Sequence, residues 1–181
     1  MDFVDRPHFL VPETLLRGVP TAPAGARDTT ARSNSSLAEA PWIGESFLLS
    51  LVVPFYNEEE MIPAFFSAVI PALEAIDGTQ FEIVRVNDGS RDGTLRMLIG
   101  MSNENSRIRV VDLTRSFGKE AALSAGLDEA RGAIVIPFDT DLQDPPGVMQ
   151  LLVAKRREGY DVVVAKCVSR RTDSFLMRRA D

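Results

Sequence analysis

Apolar residues recur along this chain in short blocks, each ending in a polar turn that leads into a helix-length segment. Phe47-Leu48-Leu49-Ser50-Leu51-Val52-Val53-Pro54 is nearly continuous in apolar character, as strands buried on both faces of a parallel sheet are. Phe81–Val86 alternates, and Ile108–Asp112, Ala133–Phe138 and Tyr160–Ala165 follow as further strands. The first intervening helix is expected from Asn57, a candidate N-cap with Glu58, Glu59 and Glu60 in the first turn, to about Ile76. Ile62, Phe65, Phe66, Val69, Ile70 and Leu73 face the sheet in that reading, and Pro71 should kink or break the helix. Further helices are predicted over Leu95–Met101, Glu120–Ala130 and Gly147–Arg157. Ala121, Ala122, Ala125 and Gly126 would let the third helix lie close on the sheet.

Strand–helix alternation of this kind predicts a mostly parallel, Rossmann-like sheet with helices on both faces. Right-handed crossovers then place every strand's carboxyl end on one edge, where ligands of open α/β sheets bind. Residues 1–44 behave differently. They carry Pro7, Pro12, Pro20, Pro23 and Pro41 and no sustained period, so they read as a flexible, disordered leader before a folded domain over residues 45–181. His8 falls in that leader and reads as solvated, whereas Trp42 marks where packing would begin.

Composition narrows the function classes. The 181 residues suit one domain, with 45% hydrophobic and 25% charged content. A net charge of −6 argues against a nucleic-acid binder and requires a metal or a local basic cluster for any polyanionic substrate. The single cysteine, Cys167, excludes an internal disulfide, fits a reducing compartment and reads as an inert thiol. No run reaches the roughly 18 to 20 apolar residues of a membrane span. Neither a secretory signal nor a transit-peptide composition is evident, and these features predict a soluble, cytoplasmic chain.

The densest chemistry lies after the fourth strand, in Asp139-Thr140-Asp141-Leu142-Gln143-Asp144-Pro145-Pro146. Two carboxylates with a neighbouring amide are hard oxygen ligands suited to Mg²⁺ or Mn²⁺ shared with substrate phosphates. An Asp-rich turn is the plainer reading, and for Asp144 it is preferred, as N-cap of the helix that Pro145 and Pro146 initiate. Asp88, in Asn87-Asp88-Gly89-Ser90-Arg91-Asp92-Gly93-Thr94, suits either a base N–H or the cap of the next helix. That loop lacks G-x-G-x-x-G and P-loop spacing, which removes support for a dehydrogenase or a nucleotide triphosphatase. Arg115 and Lys119, beside a helix start, suit phosphate oxygens or plain solvent.

Four segments in order are Val53-Pro54-Phe55-Tyr56-Asn57-Glu58-Glu59, Asn87 to Thr94, Arg115-Ser116-Phe117-Gly118-Lys119-Glu120-Ala121-Ala122, and Asp139 to Pro146. Together they resemble the family 2 glycosyltransferases, in the polyprenyl-phosphate (dolichyl-phosphate mannose synthase-like) branch, over roughly residues 47–181. The resemblance implies a GT-A fold, here without its C-terminal part, and an inverting, metal-dependent transferase. It implies transfer of a hexose from a UDP- or GDP-sugar to a polyprenyl phosphate such as undecaprenyl or dolichyl phosphate. Pro54, Tyr56 and Glu58 would line the nucleoside pocket, and Asp88 would bond the nucleobase. Asp139 and Asp141 would form the catalytic D-x-D pair, with Gln143 completing the shell of Mg²⁺ or Mn²⁺. An acceptor phosphate is already ionised, so no strong general base is required.

Asn87 stands where the family usually has aspartate, and Ser116 where this branch commonly has asparagine. Arg170, Arg171, Arg178 and Arg179 read either as a solvated basic tail or as attraction to lipid phosphate at a cytoplasmic membrane face. The family continues beyond the point where this chain stops. The other readings are therefore a non-catalytic nucleotide-sugar-binding remnant and a family 2 enzyme acting on a polysaccharide. An uncovered sheet edge would further predict self-association.

Overall fold

The computed structural model describes residues 9–10 and 46–167, with side chains over 46–165. Phe9–Leu10 (β1) pairs antiparallel with Lys166–Cys167 (β6) as a two-stranded sheet. The rest of residues 1–44, with His8 and Trp42, and the arginines at 170, 171, 178 and 179 lie outside the described residues. The main sheet has four parallel strands: Phe47–Phe55 (β2), Thr79–Asn87 (β3), Ile108–Asp112 (β4) and Ile134–Pro137 (β5), in the order β4-β3-β2-β5. The longest apolar run is thus an interior strand, paired with β3 from Phe47↔Thr79 to Phe55↔Asn87.

Helices cover both faces. Leu49, Leu51, Val53 and Phe55 alternate onto one face. There they meet α1 (Ile62–Glu74), α2 (Thr94–Glu104) and α4 (Val148–Arg157) through Phe65, Val69, Leu98, Val148 and Met149. The carboxyl end of this core is aromatic. Phe55 lies edge-on to Phe65 at 5.7 Å between ring centroids, and Phe138 packs on Phe65 at 6.2 Å. Rigid rings therefore support the two strand ends that carry the Asn57 and Asp139 loops. On the opposite face lies α3 (Lys119–Glu129). Of the four small residues, Ala122 and Gly126 are buried as the sequence predicts, Ala125 is half-buried and Ala121 is exposed, and a Cβ at Gly126 would overlap the side chains of Val52 and Val86 beneath it.

Two buried polar features interrupt the apolar pattern of β3. Glu82 faces α3 and accepts from Ser50 Oγ at 2.6 Å and from the Arg131 N–H at 2.8 Å, tying the α3–β5 connection to the sheet. Arg85 faces the other core, fully buried, with Nη2 donating to Leu98 O at 2.6 Å and the guanidinium 5.3 Å from the Phe66 ring centre. Its Nε and Nη1 find no partner among the described residues, and burial pushes its pKa down to about 10.

Several expectations need correction. Among the described residues, 162–165 join no sheet, and Val162 and Val164 are exposed. The run of β-branched Val162, Val163 and Val164 suits a strand, but a strand also needs a ladder partner, and a cavity of about 330 Å³ lies between the β5 flank and residues 161–165. The first helix starts at Ile62 rather than Asn57, with no acidic residue in its first turn, and continues through Pro71 to Glu74. Asp144 does not cap α4: Gly147 occupies the N-cap without a side-chain bond, and the Val148 N–H donates to Pro145 O at 2.9 Å. Asp88 does not cap α2 either, since Asp92 Oδ1 accepts from the Thr94 N–H there at 3.0 Å.

Candidate active site

The strand ends converge as parallel topology requires. A cavity of about 320 Å³ opens at the carboxyl edge between the loops after β2, β3, β4 and β5. Pro54, Tyr56, Glu58, Asp88, Lys119, Asp139 and Asp141 all line it, so seven of the residues singled out from sequence share one space. Ser116, Gly118 and Thr140 also line it. Arg115 is not among the lining residues. It stacks on the exposed Phe117 ring at 4.4 Å and borders a neighbouring cavity of about 410 Å³ with Asn87, Ser90, Arg91 and Asp112. Gln143 lies outside both cavities, and its backbone N–H donates to Asp141 Oδ1 at 3.1 Å.

The β2 and β3 loops are laced together. Asn57 takes a left-handed conformation, φ 54°, to reach across instead of capping a helix. Its N–H donates to Ser90 Oγ at 3.0 Å and its Oδ1 accepts from the Arg91 N–H at 2.8 Å. The Glu58 N–H donates to Thr94 Oγ1 at 2.9 Å, and Glu59 Oε2 accepts from the Gly93 N–H at 2.8 Å. Asn87 Nδ2 donates to Asp112 Oδ1 at 2.7 Å, across the register pair that ends β3 and β4.

Asp88 extends the lacing to the loop before α3. Its carboxylate, almost fully buried, accepts from the Phe117 N–H at 2.7 Å, the Gly118 N–H at 3.0 Å and Ser116 Oγ at 2.7 Å. Burial pushes this carboxyl up, but the three donated bonds outweigh it and hold it below its ordinary value. A carboxylate offers about four lone-pair sites, so about one remains for a ligand N–H. Gly89 makes the approach possible. At φ 62°, it passes so close to the Arg115–Ser116 backbone that a Cβ would collide with it. Sequence reasoning missed this role of Asp88 because the partners are 28 to 30 residues away. The Gly at 89 was the available signal.

The other side of the pocket is sparsely held. Lys119, the first residue of α3, places Nζ 2.7 Å from both carboxylate oxygens of Asp139. The hydrogen bond to Asp139, reinforced by its charge and those of Asp141 and Glu120, raises the lysine pKa against the effect of partial burial. Leu142 is left-handed at φ 53° and packs on the core, while among the described residues Asp141 is hydrogen-bonded only by the turn N–H of Gln143. Asn57 and Leu142, the positive-φ non-glycine residues among those described, thus flank the pocket, a placement typical of binding edges. Among the described residues no three His, Cys, Asp or Glu side chains gather as a self-sufficient metal cage. Two hard carboxylates at a pocket mouth fit an ion that takes its remaining ligands from substrate phosphates.

A family model described as glycosyl transferase family 2 matches residues 50–181, and the chain belongs to that family. Its parallel sheet clothed by helices is the expected GT-A type of architecture. An uncharacterised glycosyltransferase of Synechocystis sp. is 48% identical over 128 residues, 71% of this chain and 40% of the relative. A prophage bactoprenol glucosyl transferase homolog of Escherichia coli K12 is 44% identical over 131 residues, 72% of this chain and 42% of the relative. The chain therefore spans about two fifths of the length of these curated relatives. A solved mycobacterial protein superposes with a TM-score of 0.50 at 26% identity, covering 68% of this chain and 41% of its own. No helix among the described residues is long and apolar enough to cross a membrane.

Proposed function

We propose that this chain forms the donor-binding part of an inverting glycosyltransferase that moves a hexose from a UDP- or GDP-sugar to a polyprenyl phosphate. The observation that carries the reading is the single cavity shared by Pro54, Tyr56, Glu58, Asp88, Lys119, Asp139 and Asp141. Tyr56, 47% exposed beside Pro54, offers a ring face for a nucleobase, with the spare lone pair of Asp88 as an acceptor for a base N–H. Asp139 and Asp141 would hold Mg²⁺ or Mn²⁺, and Gln143 follows them in the same turn. Such an ion, when bound, neutralises charge on the leaving nucleoside diphosphate. The bactoprenol glucosyl transferase relatives support the lipid-phosphate acceptor. An acceptor of that kind also suggests peripheral contact with the cytoplasmic membrane face.

Calorimetric titration with UDP and GDP, with and without Mn²⁺, tests the site. Binding should require the metal and fall by about 100-fold or more in Asp139→Ala and Asp141→Ala, as loss of a metal ligand demands. Metal-independent binding that both variants retain would sink the assignment. A turnover assay with UDP- or GDP-hexose and polyprenyl phosphate then separates a transferase from a binding module.

A further inference from the structure

We propose that Lys119 is a resident counter-ion for Asp139, so that a divalent cation enters the pocket more favourably together with a diphosphate that draws the ammonium away than on its own. The inference rests on reading the pocket as a donor-diphosphate site. Its starting point is geometric: Nζ stands 2.7 Å from both Oδ1 and Oδ2 of Asp139, occupying the oxygens a metal would use.

The balance of charge at the pocket mouth accounts for the coupling. Asp139 and Asp141 together present two negative charges, and Lys119 cancels one of them. A metal ion arriving alone meets a half-neutralised site and a cation already bonded to one carboxylate. A diphosphate changes the count, because it brings negative charge and acceptor oxygens of its own. The ammonium is a point charge on a flexible four-carbon stem, and both partners are about half exposed, at 55% and 48% of their side chains. Lys119 can therefore move from the carboxylate to phosphate oxygens without unpacking any core residue. Asp139 is then released to the metal, and each cation gains an anionic partner. Coupling of this kind is reciprocal: nucleotide tightens the metal by the same factor that metal tightens nucleotide. If the pair were an incidental surface salt bridge, removing the lysine would leave metal affinity unchanged.

Titrations of Mn²⁺ alone, of UDP or GDP alone, and of each with the other present separate the two cases. They are made on the wild-type chain, Lys119→Met and Lys119→Arg. Lys119→Met should bind Mn²⁺ alone roughly 3- to 10-fold more tightly, since one competing charge is gone. The same variant should show a smaller factor by which nucleotide and metal enhance each other. Lys119→Arg keeps the charge and should restore both wild-type values. Mn²⁺ affinity in Lys119→Met at or below that of wild type, undetectable binding by both included, overturns the proposal. Failure of the donor-site reading is distinguishable, because it would appear as no metal-dependent nucleotide binding by the wild-type chain.

Discussion

The two sides of the carboxyl edge are built on different principles. On the β2–β3 side, the side chains of Asn57, Glu59, Asp88 and Asp92 and the Glu58 N–H are bonded to other loops. On the β5 side, among the described residues, Asp139 and Asp141 have one ion pair and one local turn bond between them. The first side is finished by the protein itself, which suits a nucleoside pocket whose shape must pre-exist its ligand. The second is left for a ligand to finish, which suits ions and phosphates that bring their own charges. Carboxylates on the same edge thus serve opposite ends: those of Glu59, Asp88 and Asp92 hold the loops together, and those of Asp139 and Asp141 leave the edge incomplete.

That contrast can be broken most forcefully at Asp88. Asp88→Ala leaves the Phe117 and Gly118 N–H groups without their acceptor and should cost about 2–3 kcal/mol, read from urea denaturation. A loss below about 0.5 kcal/mol would mean that the lacing is ornamental. Acidification is the gentler probe. Asp88 and Asp92 are both held below the ordinary carboxylate value, because the bonds they accept outweigh their burial. The unfolded chain therefore takes up protons first as pH falls. Their stabilisation is complete above about pH 4 and is lost as pH drops through the lower native values. The urea midpoint should decline over that window, and Asp88→Asn should flatten the decline. The smallest effect belongs to the unfinished side. Asp139→Ala and Asp141→Ala should change stability by no more than about 0.5 kcal/mol by the same measurement, while removing metal-dependent nucleotide binding. A large destabilisation there would erase the distinction between the two sides.

Legibility in the sequence follows the same division. Strands β2 to β5 are readable because near-continuous apolar runs have few alternatives, and crossover rules then bring the chemical loops together. Local pattern fails where a distant partner decides. Asn57 has the composition of a helix cap, yet Ser90 and Arg91 claim it and move the helix start to Ile62. Tyr160–Ala165 has the β-branched composition of a strand, but composition says nothing about whether a neighbouring edge is within reach. The Lys119–Asp139 pair joins residues 20 apart on different elements, so each is legible in the sequence as a candidate site residue and their bond is not.

Asn87, one of the two positions where the chain differs from the pattern that its resemblance implies, stands in register with Asp112 across β3 and β4. An aspartate at 87 would set two like charges side by side at the rim and remove the amide donor that Asp112 now accepts. The two positions thus form a compensated pair: acidity at one is tolerable only while the other is neutral. An aspartate at 87 is therefore expected together with a neutral residue at 112.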